Sequence, residues 1–352
     1  EDGDEASFRA LMALRDAGPP VDAGRLAEAE ALLDLDAFAA YHVLEIYAGN
    51  DDWLGKNWRA LRRRVDPRSE AARAPGGRWT FLVWDIERTA FLRLIDPLCG
   101  QADHRCGSPH QRDPADIANT AGVMGLHAWL KDNVDYRLRF ADQARRLLMD
   151  DGPLTPAPVA QHYRRRLDEI DGAIVGESAR WGDVYPLQTY ERTFLENSQW
   201  WLAFWQTFRH PETEAVQRRD PEWLAERRRL LEQALPPRTA IVIEQLCREQ
   251  LLSPVPGLAL RSESPSGIAA ASRITISALP EGCPGRMDGG DIYYTVNGED
   301  PRQEGSGQPG AWWTGRPTAG AARYVRPLRL SGFQRLKARM AVPTDGGLLW
   351  GP

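Results

Sequence analysis

Apolar residues recur at helical spacing from Ser7 to Asp16 and again from Ala23 to Leu33, with Gly18-Pro19-Pro20 breaking the pattern between them. A third helix is predicted over Leu35 to Tyr47, where Phe38, Tyr41, Val43, Leu44 and Ile46 make a strongly apolar segment that stops at Gly49-Asn50. The period then changes. Trp58 to Arg64 and Arg78 to Asp85 read as two strands joined by a polar loop rich in Arg, Pro and Gly, the second carrying the run W-T-F-L-V-W. Helical spacing returns after Asp113 or Asp116, either of which can cap I-A-N-T-A-G-V-M-G-L-H-A-W-L. It continues over Val134 to Met149, Pro158 to Gly176, Thr189 to Phe208, Glu222 to Leu235 and Arg238 to Glu249. Beyond Leu252-Ser253-Pro254-Val255-Pro256 the pattern shifts to short alternating runs between turns: I-T-I-S-A-L, D-I-Y-Y-T-V, R-Y-V-R-P-L-R-L and F-Q-R-L-K-A-R-M. Asn297-Gly298 is a hairpin-turn signal among them. The expected fold class is therefore multidomain α+β: residues 1–252 mostly helical with one small β-hairpin, then an independent all-β sandwich over residues 253–352.

Composition narrows the function classes. With 42% hydrophobic residues, a chain of 352 can bury an ordinary core. Its 44 basic and 49 acidic side chains are mixed along the sequence, so the net charge of −5 presents no basic face for nucleic acid. No apolar run is long enough for a membrane span, and the mean hydropathy of −0.48 agrees. The opening residues E-D-G-D-E-A-S-F contain no Met, basic stretch or apolar leader, so the chain is expected to begin inside a longer protein. Trp200, Trp201, Phe204 and Trp205 lie at helical spacing and read as core. His42 and Glu45 read as a core or surface pair.

Four cysteines are present. Cys99 and Cys106 enclose C-G-Q-A-D-H-R-C, with His104 inside and His110 beyond. Three readings stay open: a local disulfide, which suits an exported protein and leads; a Cys2His2 zinc site; and two free thiols. Cys247 and Cys283 are expected to be unpaired or far from function.

The chemistry concentrates between Asn50 and Glu87. Asp52 and Asn57 stand five positions apart, and Asp85 closes the second strand. That is a phosphoryl-transfer layout, in which one carboxylate orients the attacking hydroxyl while an Asn and a second Asp hold magnesium. Lys56, between the acid and the amide, is placed to touch a γ-phosphate or to stay in solvent. Arg59 and Arg62 are the phosphate-contact candidates, and Arg63 and Arg64 read as a solvated face. A glycosidase could instead use Asp52 and Asp85 as paired carboxylates, but Asn57 has no role in that reaction. Asp288, Asp291, Glu299 and Asp300 read as turn acids rather than calcium ligands.

Asp52-Trp53, Asn57-Trp58, Arg62 and a strand ending in Trp84-Asp85 together resemble the CotH family, atypical secreted kinases first associated with spore coats. The resemblance spans roughly residues 30 to 250, and E-S-A-R-W-G-D from Glu177 to Asp183 is a further CotH-like stretch. It implies a kinase-like carboxy-terminal lobe that uses ATP and Mg2+ and phosphorylates Ser or Thr of a secreted or coat protein, outside a bacterial cell. Asp52 would be the base and Asn57 and Asp85 the metal ligands. No strand lysine or Gly-rich cover precedes Asp52, which implies that the amino-terminal lobe lies upstream and that this chain alone is nearly inactive. One departure is that the family places a small residue, often Gly, a few positions after the metal Asp; here the chain continues E-R-T-A-F-L, with Ala90 or Phe91 near that place. The run Y-Y-T-V-N-G-E-D-P-R, followed by L-K-A-R, resembles the immunoglobulin-like module at the carboxy terminus of chitobiases and β-hexosaminidases, which suggests a wall-polysaccharide partner. An exported pseudokinase acting as a structural surface protein is the rival function.

Overall fold

The computed structural model describes residues 5–18, 22–50, 57–63, 77–86, 124–182, 218–263, 273–308, 310–330 and 334–352. Asp52, Lys56, Cys99 and Cys106, with His104, His110 and the helix expected over Thr189 to Phe208, lie outside them. The fold is mixed, with helices followed by antiparallel sheets.

Helix α3 (Leu35–Ala48) is the centre of the helical part. Asp34 caps it by accepting from Ala37 N, and Gly49 ends it at φ 61°, a left-handed conformation that glycine adopts without strain. Its Leu35, Phe38 and Tyr41 enter one apolar cluster with α1 (Ala6–Asp16), α2 (Ala23–Leu32) and α4 (Met124–Leu130). Its Ala39, Val43, Ile46 and Tyr47 enter another, with α5 (Val134–Leu148) and α6 (Pro156–Trp181). A helix apolar on every side can only be central, and α3 is buried as that pattern requires.

From Leu224 to Arg248 the chain is helical throughout, as α7 (Leu224–Arg229), a π-helical turn at Leu230–Ala234, and α8 (Leu235–Arg248). The break expected between Leu235 and Arg238 is absent. Pro236 and Pro237 occupy the first turn of α8, where a missing N–H is harmless, and the wider turn before them absorbs the change of pitch.

Strands β1 (Trp58–Leu61) and β2 (Thr80–Val83) form the expected antiparallel ribbon, shorter at both ends than the sequence suggested. Trp58, Ala60, Phe81 and Val83 turn inward onto the cluster around Phe38, and Phe8 stacks on Trp58 at 6.0 Å between centroids. Trp79 anchors the ribbon to the α2–α3 junction: its N–H donates to Leu32 and its carbonyl accepts from Asp34.

After residue 257 the described residues form strands and turns. β3 (Leu258–Ser262), β4 (Arg273–Ala278) and β8 (Leu328–Arg329) form a sheet in the order β3-β4-β8. β5 (Asp291–Thr295), β6 (Thr314–Gly315), β7 (Ala322–Arg323), β9 (Lys337–Thr344) and β10 (Gly347–Trp350) form a second, in the order β6-β10-β9-β5-β7. Ile274 and Ile276 of the first and Met340 and Val342 of the second meet in one apolar cluster. Asn297-Gly298 does not make the expected hairpin, because β5 pairs with β7 and β9 and the chain departs into a long loop; Asn297 instead folds back on Glu299 N–H. The two-residue hairpin is at Asp345-Gly346, joining β9 to β10 with Thr344 opposite Gly347.

The helical and β-rich parts share a core. Leu251, Leu252, Ala259, Leu279 and Trp313 belong to the same apolar cluster as Val43, Ala144 and Leu246. Buried ion pairs cross the same boundary. Arg339 (7% exposed) bridges Asp142 of α5 and Asp300, and Arg302 pairs with Asp135.

Cys247 and Cys283, expected to be unpaired, are joined as a disulfide with Cα atoms 5.5 Å apart. They are 36 residues apart, and only the shared core brings the end of α8 against the loop after β4. Because the bridge closes a loop of that length, Cys247→Ser should cost on the order of 2–4 kcal/mol of stability. A thermal melt of the variant that overlays the wild type would contradict this.

Candidate functional site

The end of α3 precedes Asp52 by four residues in sequence, and its contacts are well defined. Arg238 of α8 is buried, and its Nε and Nη2 donate at 2.6 Å to the carbonyls of Tyr47 and Ile46, the last acceptors of α3. Burial lowers its pKa to about 10, which leaves the guanidinium charged at neutral pH. Asn50 is fully buried and donates from Nδ2 to the Glu45 carboxylate at 3.0 Å. Glu45 in turn interacts with Tyr41, whose pKa rises through burial first and the nearby carboxylate second, so the phenol stays protonated. His42 and Glu45 are therefore both core residues of α3.

The ribbon packs on the first half of this helix, against Leu35, Phe38 and Tyr41. Trp58 pairs with Val83, which places Asn57 opposite Trp84 and Asp85 one residue further, all at one end of the ribbon. Asn57 (φ 57°) and Asp85 (φ 58°) both adopt the left-handed backbone. Asn and Asp tolerate that region better than other side chains with a Cβ, yet two such residues flanking one ribbon end is the kind of constraint that gathers at functional sites. Arg59 lies on the outer face with its guanidinium 4.8 Å from the Trp84 ring, and Arg62 stands 5.7 Å from Trp79. Stacking fixes each planar group over a ring and leaves its N–H groups free to reach an anion in the plane. The ribbon thus gathers Asn57, Asp85 and Arg59 at one end, while Asp52 and Lys56 lie outside the described residues.

A second polar cluster escaped the sequence reading. His42 stacks on His127 of α4 at 4.4 Å between centroids; His42 Nδ1 donates to Phe38 O, and His127 Nδ1 lies 2.9 Å from the Tyr136 hydroxyl. Burial lowers the pKa of His42 to about 4, partly offset by the Phe38 carbonyl. His127 falls well below its ordinary value, first through burial and then through His42, Lys131 and Arg137. His127 carried no motif; only its place on an apolar face marked it. Among the described residues no group of three or more His, Cys, Asp or Glu side chains is arranged to hold a metal. No described helix is long and apolar enough to cross a membrane. Compared with protein-family models, with curated proteins and with solved structures, the chain finds no match.

Proposed function

We propose that residues 1–252 are the carboxy-terminal lobe of a CotH-type kinase that transfers the γ-phosphoryl of ATP to a Ser or Thr hydroxyl of a secreted or coat protein. The observation that carries this reading is the β1–β2 ribbon, which sets Asn57 and Asp85 at one end next to the segment holding Asp52. Asp52 would accept the proton of the attacking hydroxyl. Asn57 and Asp85 would hold magnesium, and both offer the oxygen donors that this ion prefers. Magnesium, when bound, would offset the charge on the transferring phosphate. Arg59, held beside Trp84 at that end, and Lys56 would contact the nucleotide phosphates, whereas Arg62 stands beside Trp79 at the opposite end of the ribbon.

The β-rich part is proposed to be an immunoglobulin-like module of the chitobiase carboxy-terminal kind, with wall polysaccharide as its partner. The Cys247–Cys283 bridge supports an oxidising, extracellular setting.

The test is phosphotransfer from ATP with magnesium, in a chain extended by the upstream lobe that the resemblance implies. Asp52→Ala and Asp85→Ala should each lower the rate at least about 100-fold, within the range lost when a general base or a charge-stabilising group is removed. Neither should shift the thermal midpoint. Undiminished transfer in Asp85→Ala would remove Asp85 from the site, and no transfer by the extended parent chain would end the kinase assignment and promote a structural surface protein.

A further inference from the structure

Strand β3 is an edge of its sheet, paired with β4 alone. Gly257 O accepts from Leu279 N, and Glu263 N donates to Arg273 O, so in antiparallel alternation Leu258 and Leu260 turn their backbone groups away from β4. The Leu258 carbonyl is taken by Arg145 Nη1 at 3.2 Å. The Leu260 N–H and C=O have no such partner among the described residues. Leu260 lines a cleft of about 940 Å3 between α5 and the β-rich part, together with Leu138, Leu258 and Leu336. The buried side chain of Gln143 lines the same cleft with its Oε1 unpartnered.

Charge along the cleft has an order set by contacts. Arg261 pairs with Asp150 just past the end of α5, Arg145 reaches Leu258 and Arg339 binds Asp142; at the far end Arg139 binds Glu30 and Glu304. α5 thus runs alongside β3 and continues past it. Beside β3, Arg145 and Arg146 line the cleft; at the other end Glu30, Asp36 and Glu304 outnumber Arg139. We propose that this cleft binds an extended peptide that adds as a strand to β3 at Leu260, with an acidic side chain toward Arg146 and a basic one toward Glu304. A strand supplies the N–H and C=O that the edge lacks. The proposal goes beyond phosphotransfer and does not depend on it.

The probe is a fluorescein-labelled peptide of alternating valine and threonine with two glutamates at one end and two lysines at the other, read by fluorescence anisotropy against the whole chain. Saturable binding is expected, weakened at least about tenfold by Arg146→Glu, because the acidic end then meets a like charge. Of two probes N-methylated on alternate amide sets, the one blocked toward β3 should lose binding while the other keeps it, a contrast that leaves the protein untouched. Absence of saturation, equal binding by both methylated probes, or indifference to Arg146→Glu would overturn the proposal. Self-association of the chain that competes with the probe would also overturn it and assign the edge to a second copy.

Discussion

Arg339→Met should lower the free energy of unfolding by about 3–5 kcal/mol, the usual loss when one partner of a buried ion network is removed. The guanidinium is 7% exposed and sits between two carboxylates, with Nη2 2.6 Å from both Asp142 and Asp300 and Nη1 donating to Asp142 and to Gly351 O. Burial opposes its charge, yet Asp142 and Asp300 outweigh that and raise its pKa. Burial likewise opposes ionisation of Asp300, and Arg339 outweighs it and lowers that pKa. Methionine fills much of the same volume but leaves both acids without their counterion in a partly buried site, so the loss comes from stranded charge rather than from a cavity. Because Asp142 belongs to α5 and Asp300 to the β-rich part, the damage should weaken the boundary between them. Urea unfolding at neutral pH measures the loss, and a change below about 1 kcal/mol would place Arg339 with surface pairs of little consequence. Adding Asp142→Asn should recover part of the deficit, since one stranded charge is then gone.

Lowering the pH from 7 to 4 should remove about 3 kcal/mol through His42 alone, with His127 adding in the same direction. The sign follows from burial. The folded pKa of His42 is depressed to about 4 from 6.5 in the unfolded chain, so below pH 6.5 the unfolded state takes up a proton that the folded state refuses. The neutral-form advantage is intact above 6.5 and is lost as pH falls toward 4. Carboxylates with depressed pKa values, Asp150 and Asp300, lose their contribution below that window, which separates the two effects. His42→Gln should flatten the slope between pH 6.5 and 4, and an unchanged slope would show that His42 takes up its proton as readily in the fold as in the unfolded chain. His42 packs in α3 three residues before Glu45, so acid loosening should reach the Glu45–Asn50 contact at the helix end.

Sequence and tertiary structure divided the fold between them along physical lines. Local signals are short-ranged: the Gly49 stop, the strong apolarity of α3 and the aromatic and β-branched run of β2 are each written within a few residues, and helix and ribbon formed there, the strands shorter than the pattern suggested. The spacing of Asn57 and Asp85 around two strands was enough to predict that a ribbon would return one beside the other. What spacing could not show was any partner chosen by packing across distance. Asp135, Arg139 and Asp142 share one stripe of α5 that reads as a solvated face, and only the docking of the β-rich part turns it into a network with Arg302 and Arg339. Cys247 and Cys283 gave no spacing signal, because their nearness comes from Leu246, Leu252 and Leu279 packing in one core. The π turn before Pro236 likewise follows from the register that keeps Val242 and Leu246 in that core, a demand that local propensity does not record.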